Sequence, residues 1–179
     1  LELGGHHTDR LLSADLIVVS PGVDLREPLF QRVRAAGIPL IGEVELAFRC
    51  SQATFLGVTG TNGKSTTTTL LGAILKEAGL PSHVAGNIGT PLCEVAPDLS
   101  AGNLVVTELS SFQLETIERF RPHVALLLNL APDHLDRYDR VEDYYQAKAR
   151  IFENQAPSDV AVVNADDPMV LDAARKAVA

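Results

Sequence analysis

Residues 57–66 read GVTGTNGKST, and they carry the densest chemistry in the chain. Glycines at 57, 60 and 63 let the backbone turn tightly enough to aim several N–H groups at one anion. An apolar run, Ala53 to Val58, leads into this turn, and a helical pattern, LLGAILKEAG, leaves it. Strand, glycine loop, lysine, hydroxyl and helix is the order a phosphate cradle needs, because a helix N-terminus adds free N–H groups and partial positive charge. Gly60, Thr61, Asn62, Gly63, Lys64, Ser65 and Thr66 are the expected lining. Lys64 is placed to reach the outer phosphates of a nucleotide, and the Ser65 hydroxyl to sit on Mg²⁺. The spacing departs from the common phosphate-loop pattern, which wants glycine where Val58 stands. A plain glycine-rich turn between strand and helix is the bland alternative; the flanks of GTNGKST favour the phosphate.

Three further residues could join that site. Glu108 closes the apolar run NLVVTEL. A carboxylate at a strand end beside a phosphate loop suits Mg²⁺, which takes oxygen donors and shares its shell with phosphates. Helix capping or a salt bridge would use the same carboxylate. His134 follows VALLLN in a loop with Asp133 and Asp136, which are also ordinary turn formers beside Pro132. Lys148 lies in VEDYYQAKARIF, where Val141, Tyr144 or Tyr145, Lys148 and Phe152 share one helical face. Most lysines in an apolar stripe extend to the surface or pair with a carboxylate. A desolvated one has a lowered pKa and a nucleophilic amine that can take up CO₂ as a carbamate, becoming an oxygen donor for metal.

The elements that must position these residues alternate. Strands are expected at 16–20, 38–41, 53–58, 83–85, 103–109, 124–129 and 160–164. Helices are expected at 27–36, closed by Gly37, from Glu43 to Phe48, from the phosphate loop to about Ala78, over 141–154, and from Pro168 onward. Apolar strands alternating with amphipathic helices imply an α/β protein with a mostly parallel sheet covered on both faces. In such sheets ligands collect at the C-terminal ends of the strands, where the phosphate loop, Asn87, Glu108, Asn129 and His134 all fall. A seam is expected near 50–53. The 179 residues, 46% hydrophobic, can bury a real core, and the net charge of −8 argues against nucleic acid as main partner. No apolar run approaches membrane-spanning length. Cys50 and Cys93, isolated in sequence, are expected to be reduced, buried thiols of a cytosolic protein. The chain opens on Leu without a signal peptide and reads as a piece of a longer polypeptide.

The motifs together resemble the Mur ligases, ATP-dependent enzymes that add amino acids to the peptide of the peptidoglycan precursor. The segments that carry the resemblance are GVTGTNGKSTTT (57–68), GNIG (86–89), ELSSFQLE (108–115), NLAPDHLDRY (129–138), YYQAKARIF (144–152) and VVNADD (162–167). ELSSFQLE with GNIG and DHLDRY is similar to the branch of that family that joins D-glutamate to UDP-N-acetylmuramoyl-L-alanine. That family's loop also lacks glycine at the Val58 position. DLIVVSPGV (15–23) resembles the later part of the family's UDP-binding N-terminal domain.

The resemblance implies a Rossmann-like partial N-terminal domain over 1–50, and over 51–179 the first part of a P-loop ATPase-type central domain. The C-terminal domain, which in the family binds D-glutamate and part of ATP, is not in this sequence. Lys64, Ser65 and Thr66 match contacts to the ATP phosphates and Mg²⁺. Glu108 matches a ligand of the Mg²⁺ that bridges the phosphates. His134 and an N-carboxylated Lys148 match ligands of a second Mg²⁺. Asn87 and Ser110 match residues near the reacting phosphate and the UDP-sugar, and Ser20, Pro21 and Gly22 match the turn against the UDP diphosphate. The implied setting is bacterial cytoplasm, with a monomeric parent enzyme and no membrane insertion. The implied reaction is amide formation through an acyl phosphate. Two other readings stand beside it: another phosphate-loop enzyme, such as a folylpolyglutamate synthase-like ligase or a small-molecule kinase, and a non-catalytic nucleotide-binding module. ELSSFQLE is not the folate-ligase pattern, and a mere binding module has no use for second-metal residues.

Overall fold

The computed structural model describes residues 8–178. After a first helical turn, α1 (Thr8–Leu11), a small unit of two parallel strands forms, β1 (Ile17–Val19) and β2 (Leu40–Gly42), joined through α2 (Pro28–Ala35). Pro28 starts α2 where its missing N–H costs nothing, and Gly37, at φ +73°, turns the chain out of it. Ile17, Val19, Leu25, Phe30 and Val33 make this unit's own core.

The larger sheet is parallel throughout, in the order β4-β5-β3-β6-β7. Its strands are β3 (Thr54–Thr59), β4 (Ser82–Gly86), β5 (Leu104–Glu108), β6 (Val124–Leu127) and β7 (Val160–Val163). The helices are α3 (Glu43–Cys50), α4 (Lys64–Glu77), α5 (Leu92–Val95), α6 (Ser111–Leu114), α7 (Val141–Ala149) and α8 (Pro168–Val178). The phosphate-loop strand is thus central, with β5 and β6 ending on either side of it. One face of the sheet presents Phe55, Ala85, Val105, Ala125 and Leu127 to a core that also takes in Val44 and Ala47 of α3, Leu114 of α6, Tyr144 and Tyr145 of α7, and Val170 of α8. Phe48, Phe55 and Phe120 meet edge to face at its centre, with centroids 5.6 Å apart. α3 therefore packs under the larger sheet although β2 runs straight into it.

Several expected boundaries shift, each for a local reason. The helix expected over 141–154 is α through Ala149 and tightens to a 3₁₀ turn at Arg150–Phe152, where Arg150 donates to the Glu115 and Ile117 carbonyls at 2.6 and 2.7 Å. β6 stops at Leu127, because Asn129 turns back onto the phosphate loop. The two faces of the sheet are covered unequally. On the face opposite that core, α4 packs against β3, β4 and β5, with Gly72 so close to Val84 that a Cβ there would meet Val84 Cγ2 at 2.3 Å. Beyond α4, Val160 and Val162 of β7 stand 47% and 44% exposed. The cysteine expectation is also corrected: Cys50, at the end of α3, is exposed, and Cys93 is half-buried, its thiol pushed up to about 11 by burial and by nearby Glu43. Among the described residues, no helix is long and apolar enough to cross a membrane.

Candidate active site

Gly60 and Gly63 supply the conformations the phosphate loop needs. Gly60 has φ +149° and lies against Leu128 and Asn129, where a Cβ would meet Leu128 Cβ at 3.0 Å; Gly63 has φ +81° immediately before Lys64 opens α4. Asn129 then fixes the loop. Its Oδ1 accepts from the Thr61 and Asn62 amides at 3.1 and 2.8 Å, and its Nδ2 donates to the Asn62 carbonyl at 3.0 Å. Thr61 exchanges hydrogen bonds with the backbone of Ala131 at 3.0 and 3.1 Å. Lys64 Nζ donates to the Thr61 carbonyl at 2.9 Å, folded over its own loop. Ser65 and Thr66 are exposed in the first turn of α4, open to a ligand seated on the helix N-terminus.

Glu108 is 2% exposed at the end of β5. Its Oε1 accepts from Asn87 Nδ2 at 2.9 Å, while Oε2 is buried with no hydrogen-bond partner among the described residues. A carboxylate oxygen out of water without a partner is costly, and a bound cation removes that cost. The donor set therefore fits Mg²⁺. Gly86, at φ +111°, permits the close approach: a Cβ there would sit 2.5 Å from the Glu108 carbonyl oxygen. Asn87 is held in the same place by its own N–H, which donates to that carbonyl at 2.9 Å.

Lys148 is 2% exposed, as its helical face implies, among Tyr144, Tyr145 and Phe152. Its Nζ donates to the Gly60 carbonyl at 2.8 Å and lies 4.6 Å from the Tyr144 ring centroid. Burial, with Lys64 nearby, pulls its pKa down to about 7, against a smaller upward pull from Asp133 and Glu108. Four ionisable groups thus converge on the strand ends. His134 meets the same tyrosine, its ring 5.8 Å from Tyr144 and 5.0 Å from Phe112. It is exposed, and adopts φ +52°, uncommon for a residue with a Cβ. The Asp133 carboxylate accepts its backbone N–H at 2.8 Å. Among the described residues no three His, Cys, Asp or Glu side chains gather as a ready metal cluster.

The remaining candidates lie around this centre. Ser110 caps α6 in a reciprocal box with Gln113, so its hydroxyl already serves the backbone at 3.3 Å and the Gln113 side chain at 3.1 Å. Ser20 and Pro21 are exposed and Gly22 has φ +91°; with Glu43, Phe112 and Arg137 they line a small cleft between the two-stranded unit and the larger sheet. Sequence marks Asn129 only by its place at a strand end, and Phe112, Glu115 and Arg137 only as members of ELSSFQLE and NLAPDHLDRY. Their roles depend on contacts between residues 22 to 115 positions apart, which no local pattern displays.

A parallel α/β sheet with a phosphate loop after its central strand and a buried acid after the neighbouring one defines a nucleotide-phosphate-binding unit. The chain belongs to the Mur ligase family: the Mur ligase middle domain matches residues 58–179, and the MurD-like N-terminal domain of Mur ligases matches residues 1–42. It is 50% identical over 167 residues to the UDP-N-acetylmuramoylalanine--D-glutamate ligase of Desulfatibacillum aliphaticivorans, covering 93% of this chain and 37% of that protein. It is 52% identical over 175 residues to the ligase of the same name from Desulfosudis oleivorans, covering 98% of this chain and 38% of that one. The chain thus spans under two fifths of the length of these curated relatives. Its fold is similar to a solved UDP-N-acetylmuramate:L-alanyl-gamma-D-glutamyl-meso-diaminopimelate ligase from Neisseria meningitides, with TM-score 0.62 and 21% identity over 94% of this chain and 58% of that one.

Proposed function

We propose that this chain is the ATP-binding and UDP-substrate-binding part of a ligase that joins D-glutamate to UDP-N-acetylmuramoyl-L-alanine in peptidoglycan precursor synthesis. Residues 1–50 would be the end of the UDP-substrate domain and 51–179 the first part of the ATP domain. The observation that carries the chemistry is the partnerless Oε2 of Glu108, buried beside a phosphate loop. The identity of the amino acid rests on the activity of relatives about half identical to this chain.

In this reading the loop amides of Gly60–Thr66 and Lys64 hold the ATP phosphates. The UDP-muramoyl carboxylate attacks the γ-phosphorus, ADP leaves, and the resulting acyl phosphate is attacked by the D-glutamate amine with loss of phosphate. Bringing one anion onto another needs concentrated positive charge, and such clamps lower the barrier by several kcal/mol. Mg²⁺, when bound, supplies much of that charge. Ser65 and Glu108 would hold one ion; His134 and Lys148, the latter as a carbamate, would hold a second. Asn87 keeps Glu108 Oε1 occupied, so that Oε2 is the oxygen presented. Ser20, Pro21 and Gly22 would seat the diphosphate, with Asn87 and Ser110 nearer the reacting end. A net charge of −8 argues against nucleic acid as the partner and leaves room for a small anionic substrate, which Lys64 and a helix end would hold by their local field. A monomeric enzyme of the bacterial cytoplasm completes the reading.

The test is phosphate release by the full-length protein. It should require ATP, D-glutamate and UDP-N-acetylmuramoyl-L-alanine together, and Lys64→Ala should abolish it. Turnover with a folate and L-glutamate in their place would overturn the assignment.

A further inference from the structure

The turn at Ser20–Val23 packs with the core of the two-stranded unit, whereas the segment 129–138 packs with the larger sheet; one side chain joins them. Arg137 Nη1 donates to the Gly22 carbonyl at 2.9 Å, and Nη2 to the Val23 carbonyl at 3.0 Å. The guanidinium is 4.5 Å from the Phe112 ring centroid and pairs with Glu115 at 3.4 Å. Glu115 in turn accepts a hydrogen bond from the Tyr138 hydroxyl. Arg137 is only 15% exposed in its side chain, so these partners rather than water satisfy it.

Those contacts have consequences on both sides. Gly22, at φ +91°, is in a region where glycine moves freely, so something else must set the turn. Each peptide unit is planar and trans, so fixing the Gly22 and Val23 carbonyls toward Arg137 points the next two amide N–H groups the opposite way. On the loop side, the backbone N–H groups of Arg137 and Tyr138 both donate to the His134 carbonyl, at 2.9 and 3.2 Å. Phe112 lies against both the guanidinium and the His134 ring. A shift of the turn therefore reaches His134 by the backbone and by an aromatic ring.

Resting on the function proposed above, we propose that Arg137 is a positioning residue that couples occupancy of the Ser20–Gly22 turn by the substrate diphosphate to the seating of the His134 loop. Coupling of this kind is reciprocal: whatever orders the loop also tightens the turn. Lysine cannot replace arginine, because one ammonium cannot bridge two carbonyls and a carboxylate while lying flat on Phe112.

The experiment uses the full-length protein, with UDP-N-acetylmuramoyl-L-alanine binding followed by calorimetry and amide hydrogen exchange followed across 133–138. In wild type, the substrate should slow exchange in that loop. Arg137→Ala should weaken substrate binding about tenfold, the scale of losing charge-assisted bonds, and should remove the loop protection at matched saturation. ADP affinity should stay within about twofold, which shows that the phosphate loop is folded. Arg137→Lys should behave as Arg137→Ala does, and it carries the test should the alanine variant lose ADP binding. Loop protection retained at saturation, or restored by lysine, overturns the coupling. A wild-type protein that neither binds nor turns over the UDP-substrate overturns the proposed function instead, and this inference with it.

Discussion

Lys148 shows how far one residue's environment can be pushed. Its charge is out of water, opposed by Lys64, and met by the Gly60 carbonyl, the face of Tyr144 and the weaker pull of Asp133 and Glu108. With a pKa near 7, a large share of the amine is neutral at physiological pH and can take up CO₂. A carbamate nitrogen would keep one N–H, so the bond to the Gly60 carbonyl would survive that change. Lys148→Ala in the full-length protein should lose most ligase activity, with partial rescue by acetate at millimolar level. Lys148→Arg should fail as badly, since a guanidinium forms no carbamate; near-normal turnover by that variant would end the metal-ligand reading. The same pKa fixes a stability trend. The folded state binds fewer protons than the unfolded state between about 7 and 10.5, so this lysine makes stability rise with pH across that window, its penalty being fully present below 7. Urea midpoints at pH 7 and 9 should show that rise, and Lys148→Met should flatten it. The stripe that holds Lys148 was legible in the 3.6-residue period of YYQAKARIF. The Gly60 carbonyl, 88 positions away, was not.

At the scale of elements, local pattern located the strand, loop and helix of the phosphate site to within a residue or so, because apolar runs, glycines and the GKS sequence all act locally. One-turn helices escaped, since four residues display no period. α6 nonetheless carries its own signal, the S-x-x-Q capping box inside ELSSFQLE. Sequence pattern places Glu45 only within a short helix, yet it is fully buried. Burial alone would raise its pKa, but the amides of Glu118, Arg119 and Phe120, with Arg49, outweigh that and hold it below the usual range. That link ties α3 to the chain leading into β6 across more than 70 positions. Two predictions belong to this scale. Asn129→Ala removes three bonds to the phosphate loop, so ADP affinity should fall by roughly tenfold or more, at about 1–2 kcal/mol for the set. Calorimetric titration would show it, and wild-type affinity would mean the loop holds itself. Gly86→Ala puts a Cβ 2.5 Å from a backbone oxygen at φ +111°. It should cost about 2–4 kcal/mol in urea unfolding of the full-length protein and weaken Mg²⁺-dependent turnover through Glu108. A stability unchanged within error would show that β4 moves aside without resistance.

At the scale of the whole molecule, one face of the sheet holds most of the core and the other is partly bare. Residues aligned across parallel strands project to the same side, so Val160 and Val162 continue the row of Val124 and Leu126, and α4 does not reach them. Leu70 and Ile74 on the outer side of α4 add further exposed apolar surface, at 59% and 55%. The relatives are more than twice as long as this chain. Residues 1–179 alone should therefore associate in solution, because contiguous exposed apolar surface is an aggregation site. Static light scattering should report growing particles at concentrations where the full-length protein is monodisperse. Replacing Val160 and Val162 together with Thr keeps the β-branched shape that suits a strand while removing apolar surface. That double variant should scatter less with an unchanged far-ultraviolet circular dichroism spectrum. In neither form should the 179-residue chain release phosphate when given ATP, D-glutamate and UDP-N-acetylmuramoyl-L-alanine, since the Mur ligase resemblance places amino-acid binding in a domain outside this sequence. Scattering unchanged by the two threonines would move the sticky surface elsewhere, and sustained turnover by the 179 residues would show that the catalytic site is complete within them.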